Sequence, residues 1–452
     1  MTTVALIYPY FRPSNDKSIF RFPPLGLGYI AAYLRKNGIS VSLIDCTFLS
    51  LEEALQKVRA SDPKIIGIQS MYSMKDQSIE MAKLLRHDCE VLVAGGPLPT
   101  VCPENYLNIF DIVAVGEGEE TMLEIVRAQE NGYSLSKVKG IVYNEKGRIV
   151  HTPARNFIEN LDDIPFPARE FFDNQAYKDY YSREFNCTTT SLITSRGCPF
   201  NCEFCSRPVF GNSFRTRSPK NIVDEIENVR ELGYNRIWFE DDCFTLYEKR
   251  LLEICDAIIS RGLKIEWECL SRVDTINKNV VQRMKKAGCI RIFFGIESGN
   301  DSILTLMNKN ATVRLAKNAV YLVKSLGIQV GAFFIIGYPG ETNDTILDTV
   351  RFASSLPLDY LSFTLPYPIP GTLLYDRVKN RLVSDEWREP KGMHVIEHKL
   401  LYRSSFSEQK LKFAILKGYA QSRLRKNVGT HRYRFLGEPL EVLTDCMFRI
   451  LR

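Results

Sequence analysis

Short apolar runs that read as β-strands alternate with amphipathic stretches of helical length along most of the chain. This alternation constrains the fold more than any other feature, because it is typical of α/β proteins built around parallel sheets. At 452 residues the chain is long enough for more than one such domain. Separate sets of alternating elements would then correspond to separate domains.

The first set of strands predicts an N-terminal domain over residues 1–135. Strand candidates at 4–8, 41–45, 65–69, 91–94 and 112–115 are each followed by a helical stretch. Five such units predict a doubly wound, Rossmann-like domain, which binds ligands at the carboxyl ends of its strands. Polar and turn-forming residues follow the strands at these ends.

A second set of strands follows a turn-rich linker at 136–183, which itself contains a small β element at 140–143 and 149–152. Strand candidates then occur at 192–194, 236–239, 264–269, 290–294, 330–335 and 360–364. Six βα units predict a partial parallel (βα)6 barrel over 184–385, and a small C-terminal domain over 386–452.

The bulk composition excludes some classes of protein. No run of 18 apolar residues and no basic signal-peptide start occurs, so we expect a cytoplasmic protein without a membrane partner. Residues 391–452 carry 13 Lys/Arg against 5 Asp/Glu, a local charge of +8. We interpret this segment as a solvated face, with an acidic partner as the alternative and nucleic acid not expected.

One local match to a dinucleotide fingerprint is rejected by its context. Gly26-Leu-Gly-Tyr-Ile-Ala31 fits G-x-G-x-x-A, and Asp45 lies about 20 residues further on. The first glycine of that fingerprint directly follows a strand, whereas 17 residues separate Tyr8 from Gly26 here. Pro24 suits the first turn of a helix instead.

Only three of the twelve cysteines are clustered, and they lie after the first strand of the second domain. Cys198, Cys202 and Cys205 fall within eight residues, so three thiolates can hold three corners of a [4Fe-4S] cluster and leave one iron open. A structural zinc site is the alternative. Structural zinc requires four ligands, and no Cys-x-x-Cys or histidine pair lies nearby, although Cys187 could serve as the fourth.

The Cys-x-x-x-Cys-x-x-Cys spacing, with Phe204 before the last cysteine, resembles the signature of radical S-adenosylmethionine (SAM) enzymes. The resemblance implies that SAM binds the open iron and is cleaved by an external one-electron reductant to a 5′-deoxyadenosyl radical. It also implies that Phe204 lies beside the cofactors and that the second domain is a radical SAM barrel.

The other strand ends of the second domain fit this resemblance. It implies that Glu240 meets the amino group of SAM, that Arg272 and Ser298 hold its carboxylate or ribose, and that Gly337 lines the adenine. Glu297, next to Ser298, belongs to the same predicted set. An ammonium group binds a carboxylate, and a carboxylate binds arginine or a hydroxyl, so the chemistry is consistent.

The N-terminal domain resembles the cobalamin-binding domain that precedes the barrel in a large group of radical SAM enzymes. The similar segments are Pro23–Leu34, Gly95–Thr100 and Val115–Thr121, and Pro366–Thr372 resembles a run found in the same group. The cobalamin contacts implied by this resemblance are Tyr8, Tyr10, Ser70, Tyr72, Gly95, Gly96, Pro97, Gly116, Glu117 and Gly118.

The first loop of this domain departs from the usual cobalamin pattern. Many cobalamin domains carry D-x-H-x-x-G after the first strand, and no histidine occurs there in this chain. We therefore expect methylcobalamin without a histidine lower ligand, with the Tyr8–Arg12 loop or water on that side of the cobalt. The alternative is a domain that has lost cobalamin.

Together these resemblances predict a class B radical SAM C-methyltransferase that acts on an unactivated sp3 carbon. Length and layout resemble archaeal enzymes that methylate side chains of methyl-coenzyme M reductase, including a glutamine, so a peptide or protein substrate is expected. Candidate substrate contacts are Asp242, Cys243, Glu268, Tyr338 and Tyr367.

Other functions are weighed against this one. A cyclase or rearrangement enzyme of similar layout, as in anaerobic porphyrin ring closure, and a small-molecule or lipid C-methylase remain alternatives. Methylthio transfer is disfavoured because Cys46, Cys89 and Cys102 are too scattered for a second cluster. A corrinoid or iron-sulfur sensor is disfavoured by the SAM-like strand ends.

Overall fold

The computed structural model describes residues 3–13, 16–383 and 399–451. The chain divides into two compact units: Met1–Pro199 with Ser206–Ile237, and Phe200–Cys205 with Trp238–Arg452. Of the C-terminal domain predicted at 386–452, residues 386–398 lie outside the described part of the chain.

The first unit is built on a seven-stranded sheet. Its strands are β1 (Thr3–Tyr8), β2 (Ser40–Asp45), β3 (Ile65–Gln69), β4 (Val91–Gly95), β5 (Ile112–Ala114), β6 (Ile141–Glu145) and β7 (Arg148–His151). The order is β2-β1-β3-β4-β5-β6-β7. The first five strands pair in parallel, as predicted, in the order of a doubly wound domain.

Helices cover both faces of this sheet: α1 (Leu25–Lys36), α2 (Leu51–Ala60), α3 (Lys75–Leu84), α4 (Pro97–Val101) and α5 (Glu119–Asn131). Successive residues of a strand point to opposite faces. Accordingly, Val4 and Leu6 lie in one apolar core cluster, and Ala5 and Ile7 lie in the other. Because both faces are buried, the strands read as continuous apolar runs.

The small β element predicted within the linker extends this sheet. β6 pairs antiparallel with β5, and β7 pairs antiparallel with β6. Ile141 and Tyr143 pack into one core cluster and Val142 into the other, so β6 is buried on both faces. Structurally, this part of the linker belongs to the first sheet.

The first unit continues into the segment that carries the first clustered cysteine. Its next elements are α6 (Asn174–Phe185), β8 (Thr189–Leu192), β9 (Ser195–Arg196), β10 (Arg215–Thr216) and α7 (Pro219–Glu231). β9 and β10 form a two-stranded antiparallel ribbon in which Arg196 pairs with Arg215. Cys198 lies two residues after β9, in the segment that joins the two strands.

The second sheet has six strands in the order β8-β11-β12-β13-β14-β15. The remaining strands are β11 (Arg236–Phe239), β12 (Glu266–Ser271), β13 (Cys289–Glu297), β14 (Gln329–Ile335) and β15 (Tyr360–Thr364). The pairs from β12 to β15 are parallel. Strand order follows chain order, as the predicted partial barrel requires.

Helices connect these strands: α8 (Glu248–Ser260), α9 (Lys278–Lys286), α10 (Asp301–Leu306), α11 (Val313–Ser325), α12 (Asn343–Ser355) and α13 (Leu373–Val378). All but one of the six predicted strands overlap the observed ones over most of their length. The exception is the first, predicted at 192–194, because the strand begins earlier, in the β-branched run at 188–190.

The C-terminal helical segment, α14 (Glu408–Ile450), doubles back on itself. A straight helix of its length would span about 65 Å. Instead, Lys410 Nζ donates a hydrogen bond of 2.8 Å to the carbonyl oxygen of Leu451, so the two ends lie side by side. Within the described ranges, no helix is long and apolar enough to cross a membrane.

Candidate active site

The backbone around Cys198 is held in one conformation. Gly197 has φ +83°, and a Cβ there would lie 2.3 Å from the carbonyl oxygen of Ser213, so only glycine fits. Cys198 N donates to the Gly211 carbonyl oxygen at 3.3 Å. The Arg207 guanidinium donates to the carbonyl oxygen of Cys198. The first predicted cluster ligand therefore lies on an ordered turn.

Cys202 and Cys205 lie on a second turn of the same loop. Cys205 N donates to the Cys202 carbonyl oxygen at 3.1 Å, and Glu203 N donates to the Met307 carbonyl oxygen at 3.0 Å. Phe204 packs against a buried apolar cluster that includes Met307 and Tyr338. This packing explains why an aromatic residue precedes the last cysteine.

The donor set on this loop fits an iron–sulfur cluster bound through three cysteines. Cys198, Cys202 and Cys205 all carry free thiols. Among the residues that the structure describes, no three His, Cys, Asp or Glu side chains already converge as a metal site.

Arg272, predicted to hold SAM, follows β12 and is buried. It bonds both carboxylate oxygens of Asp274, at 2.9 and 2.8 Å, and the Lys309 carbonyl oxygen at 2.8 Å. Its guanidinium carbon lies 3.7 Å from the centroid of the Phe200 ring, which belongs to the cysteine loop. Arg272 thus supports that loop, and its contact with SAM stays a prediction.

Glu297, at the end of β13, has φ +71°, and the strand pairing shifts register beside it. Lys309 Nζ donates to Glu297 Oε1 at 3.0 Å and lies 5.8 Å from the Phe204 ring centroid. Burial lowers the pKa of Lys309, but the charges of Glu297 and Cys202 outweigh this and raise it. Lys309 was not predicted, because no motif surrounds it.

Ser298 is fully buried, and its hydroxyl has internal partners. Its Oγ lies 3.0 Å from Thr349 Oγ1 and accepts a hydrogen bond from Asn300 N at 3.2 Å. These bonds fix the turn after β13. The predicted contact of Ser298 with SAM stays a prediction.

The turn after β14 is held from two sides. Gly337 has φ +89°, and Gly337 N and Tyr338 N donate to Glu341 Oε2 at 2.6 and 2.9 Å. The Tyr402 hydroxyl donates to the Gly337 carbonyl oxygen at 3.1 Å. Burial raises the pKa of Glu341 to about 8, and its Oε1 atom has no partner among the described residues.

Glu240 directly follows β11, Arg272 directly follows β12, and Gly337 is the second residue after β14. The carboxyl ends of parallel strands share one edge of a sheet, which is where active sites of such barrels lie. This edge therefore carries the residues that the sequence predicts to hold SAM.

The predicted substrate contacts differ in their surroundings. Glu268 accepts a hydrogen bond from Arg291 Nη1 at 3.2 Å, and the Tyr338 hydroxyl donates to Glu203 Oε2 at 2.9 Å. Burial raises the pKa of Tyr367. Asp242 and Cys243 follow β11, and Cys243 is buried.

In the first unit, the carboxyl ends of β3 and β4 form a turn of close backbone contacts. Ser70 N donates to the Gly95 carbonyl oxygen at 2.8 Å, and the Ser70 hydroxyl lies 2.7 Å from the Tyr106 hydroxyl. Gly96 has φ +106°, and a Cβ there would lie 2.7 Å from the Ser70 carbonyl oxygen. The buried Gln69 Oε1 atom has no partner in the described structure.

The loop after β5 is open on one side. Gly116 has φ +83°, and a Cβ there would meet nothing within 4 Å, whereas a Cβ on Gly118 would lie 2.6 Å from Ile30. Pro97 begins α4 beside the Gly95-Gly96 turn. A glycine-lined edge with an unpartnered amide oxygen at Gln69 fits a large polar cofactor such as cobalamin.

Glu117 lies between these two glycines, and its side chain is buried. Its carboxylate forms ion pairs with Arg196 at 2.7 Å and Arg215 at 2.9 Å and accepts a hydrogen bond from Ile158 N. The carboxylate of Glu117 therefore binds other residues of this protein. A cobalamin contact through its backbone stays a prediction.

The loop after β1 packs on itself through aromatic and charged groups. The Tyr10 hydroxyl donates to Asp16 Oδ2 at 3.4 Å, and the Arg21 guanidinium lies 4.1 Å from the Tyr10 ring centroid. Tyr8 lies beside Tyr10, with ring centroids 6.1 Å apart. Tyr72 packs partly buried against the sheet. The residue that faces the cobalt stays a prediction.

Comparison with known proteins finds similarity in two separate segments of the chain. Residues 192–353 match the radical SAM superfamily, and residues 15–126 match the B12 binding domain. An uncharacterized methyltransferase of Pyrococcus horikoshii is 34% identical over 417 residues, which cover 90% of this chain and 89% of that protein.

Two further similarities are more distant. An anaerobic magnesium-protoporphyrin IX monomethyl ester cyclase of Rubrivivax gelatinosus is 29% identical, over 84% of this chain and 70% of that protein. The structure of OxsB, a cobalamin-dependent SAM radical enzyme with aqua-cobalamin and SAM bound, matches with a TM-score of 0.75 at 22% identity. That match covers 95% of this chain and 67% of OxsB.

The fold and the cysteine loop thus define an enzyme that joins a B12-binding domain to a radical SAM domain. The chain belongs to the family of cobalamin-dependent radical SAM methyltransferases. Its cofactors are a [4Fe-4S] cluster, SAM and cobalamin.

Proposed function

We propose that this enzyme transfers a methyl group to an unactivated sp3 carbon of a peptide or protein side chain, for example glutamine. The observation that carries the methyl transfer is the similarity to a methyltransferase along nine-tenths of both chains. The peptide substrate rests on the layout of the chain and on the basic segment at 391–452, which suits an extended or acidic partner.

The cofactors, when bound, supply the radical and the methyl group, and the protein supplies position and exclusion of water. Cys198, Cys202 and Cys205 would hold the cluster. The Gly337 turn presents its backbone at the edge where SAM is expected. Glu341, with its raised pKa of about 8, stays protonated near neutral pH and adds no negative charge behind that turn.

The enzyme should be tested with reconstituted cluster, bound cobalamin and SAM whose methyl group is deuterated. Glutamine-containing peptides, incubated anaerobically with a one-electron reductant, should gain one deuterated methyl group per chain by mass spectrometry. The position should be a carbon and not a nitrogen or oxygen. Formation of 5′-deoxyadenosine without any methylated peptide, while a small molecule is methylated, would overturn the peptide substrate.

A second candidate function is ring closure or rearrangement without net methyl transfer. The similarity to the magnesium-protoporphyrin IX monomethyl ester cyclase favours it, because that similarity also spans most of both chains. The mass of the product separates the two functions. A cyclase product carries no label from the deuterated methyl group.

A further inference from the structure

Arg196 is enclosed by two carboxylates from the loop that follows β5. Arg196 Nη1 lies 2.7 Å from Glu117 Oε1, and Arg196 Nη2 bonds Glu119 Oε1. The side chains of all three residues are at most 4% exposed. Because each end of the planar guanidinium bonds a different carboxylate, its orientation is set by both.

The same network reaches the neighbouring strand. Arg215 Nη1 lies 2.9 Å from Glu117 Oε1, and Arg215 pairs with Arg196 across the β9–β10 ribbon. Two carboxylates thus face two guanidinium groups, and the network is electrically balanced. Removal of one member would leave a buried charge without a partner, which proteins tolerate poorly.

Aromatic rings cover the network. The Arg196 guanidinium lies 5.0 Å from the Phe210 ring centroid and 5.5 Å from the Tyr29 ring centroid. The Arg215 guanidinium lies 4.5 Å from the Phe157 ring centroid. Screening by water is therefore weak here, and the ion pairs constrain geometry far more than exposed pairs do.

The sequence assigns the two ends of this network to different cofactors. Arg196 precedes Cys198 by two residues, and the rigid Gly197 turn joins them. Glu117 lies between Gly116 and Gly118, in the loop that the sequence assigns to cobalamin, and Glu119 begins α5. A displacement at one end must therefore either move the other end or break a buried ion pair.

We propose that Glu117 and Glu119 are positioning residues that hold Arg196, and through it the Cys198 turn, in one rigid element with the cobalamin loop. Cluster loading and cobalamin binding are then coupled, because the position that one cofactor selects at its end of the element is transmitted to the other end. The proposal rests on the cofactors of the proposed function and is independent of its substrate.

The test measures the dissociation constant of hydroxocobalamin by absorbance titration, in cluster-loaded and in cluster-free protein. Coupling by an ordered element is typically worth about fivefold or more in affinity. We expect wild-type protein to bind cobalamin at least about fivefold more tightly when the cluster is loaded. Glu119→Gln and Arg196→Lys, which loosen the network, should bring this ratio close to one.

Arg155→Gln is the matched control. Arg155 forms ion pairs with Glu120 at 3.1 Å and with Glu124, both on α5, and bonds Thr121 Oγ1 at 2.9 Å. The substitution removes ion pairs from the same helix without touching Arg196. The control should keep the wild-type affinity ratio, although its thermal stability falls.

The electron paramagnetic resonance spectrum of the reduced cluster gives a second readout. Addition of SAM should sharpen and shift the spectrum in wild type and in Arg155→Gln, but yield a heterogeneous spectrum in Glu119→Gln. A merely stabilising role would lower the melting temperature and leave this spectrum unchanged.

The proposal is overturned if wild-type protein binds cobalamin equally well with and without the cluster. It is overturned equally if Glu119→Gln keeps both the affinity ratio and the spectrum. Should the single variants fail to fold, the double variant Glu119→Gln/Arg196→Met removes both charges and leaves the Glu117–Arg215 pair. An affinity ratio near one in that variant supports the proposal, and a wild-type ratio contradicts it.

Discussion

Single residues carry two kinds of constraint in this enzyme. Gly197 and Gly337 are required for backbone geometry, since both have positive φ and would place a Cβ within 2.5 Å of a neighbouring atom. Cys198 and Glu341 act through their functional groups: Cys198 is predicted to be a thiolate ligand, and Glu341 is a buried acceptor for two backbone N–H groups.

Cys198→Ala should abolish formation of 5′-deoxyadenosine, because the cluster then has only two cysteine ligands from this loop. Cobalamin should still bind to the variant, because Arg196 keeps its carboxylate partners, but with the weaker affinity of cluster-free protein. Product chromatography and cobalamin absorbance measure the two properties. Cys446→Ala, which replaces an exposed cysteine of α14, is the control and should leave both unchanged.

Glu341 should make stability depend on pH. Burial raises its folded-state pKa to about 8 from an ordinary value of 4.5, so between these values the unfolded chain loses a proton that the folded protein keeps. Stability therefore falls as pH rises through this window, and the full difference corresponds to about 5 kcal/mol. Above the folded-state pKa of Glu341, stability no longer falls with pH because of this group.

Glu341→Gln should flatten this part of the pH dependence while its amide oxygen still accepts the two N–H bonds. The free energy of unfolding in urea, measured at intervals from pH 5 to pH 8.5, tests it. Glu253→Gln, at an exposed position of α8, should retain the wild-type slope. A Glu341→Gln slope equal to that of wild type would show that this carboxyl does not carry the effect.

At the scale of elements, the C-terminal segment stabilises the edge of the second sheet. Leu382 and Tyr402 form an antiparallel bridge, and Tyr402 then reaches the Gly337 carbonyl oxygen. Leu411 of α14 packs so closely on Gly337 that a Cβ there would lie 2.5 Å from its Cδ1 atom. The segment after the barrel is thus part of the turn that is expected to line SAM.

Tyr402→Phe removes the hydrogen bond to Gly337 without changing the size of the ring. The loss should destabilise the protein by about 1 kcal/mol and weaken SAM binding several-fold, because the turn becomes less constrained. Thermal unfolding and calorimetric titration with SAM measure these effects. Tyr321→Phe, on an exposed part of α11, should change neither, and equal effects from both variants would refute the assignment.

At the scale of the whole molecule, the segments matched by sequence similarity and the compact structural units have different boundaries. The B12 binding domain matches residues 15–126, whereas the first compact unit includes residues up to 199 and 206–237. The difference arises because β6 completes the sheet and α6 packs on the loop after β1, where the Tyr180 hydroxyl donates to the Ser18 carbonyl oxygen at 2.7 Å.

A fragment of residues 1–130 should therefore fail to fold and should not bind cobalamin. The cut removes Ile141, Val142 and Tyr143 from both core clusters and leaves the three-residue strand β5 as an edge. A fragment of residues 1–160, which keeps β6 and β7, should recover strand content. Circular dichroism and cobalamin absorbance compare the two, and a cooperative melt of the shorter fragment would contradict the expectation.

The sequence by itself determined the local features of this protein. Apolar runs located β3 and β11 to the residue, because burial on both faces of a parallel strand imposes a continuous apolar stretch. The cysteine spacing predicts the cluster loop, because the ligands fall within eight consecutive residues. These features depend on neighbours in the chain.

Only the tertiary structure decided which distant residues meet. Glu117 and Arg196 are 79 positions apart, and Tyr402 and Gly337 are 65 apart, so no local pattern joins them. Lys309 likewise contacts Glu297 and lies near the Phe204 ring because of tertiary packing. Such pairs form when sheets and loops pack together. The periodicity of apolar residues along the chain indicates which side chains are buried, but it does not indicate which residues they contact.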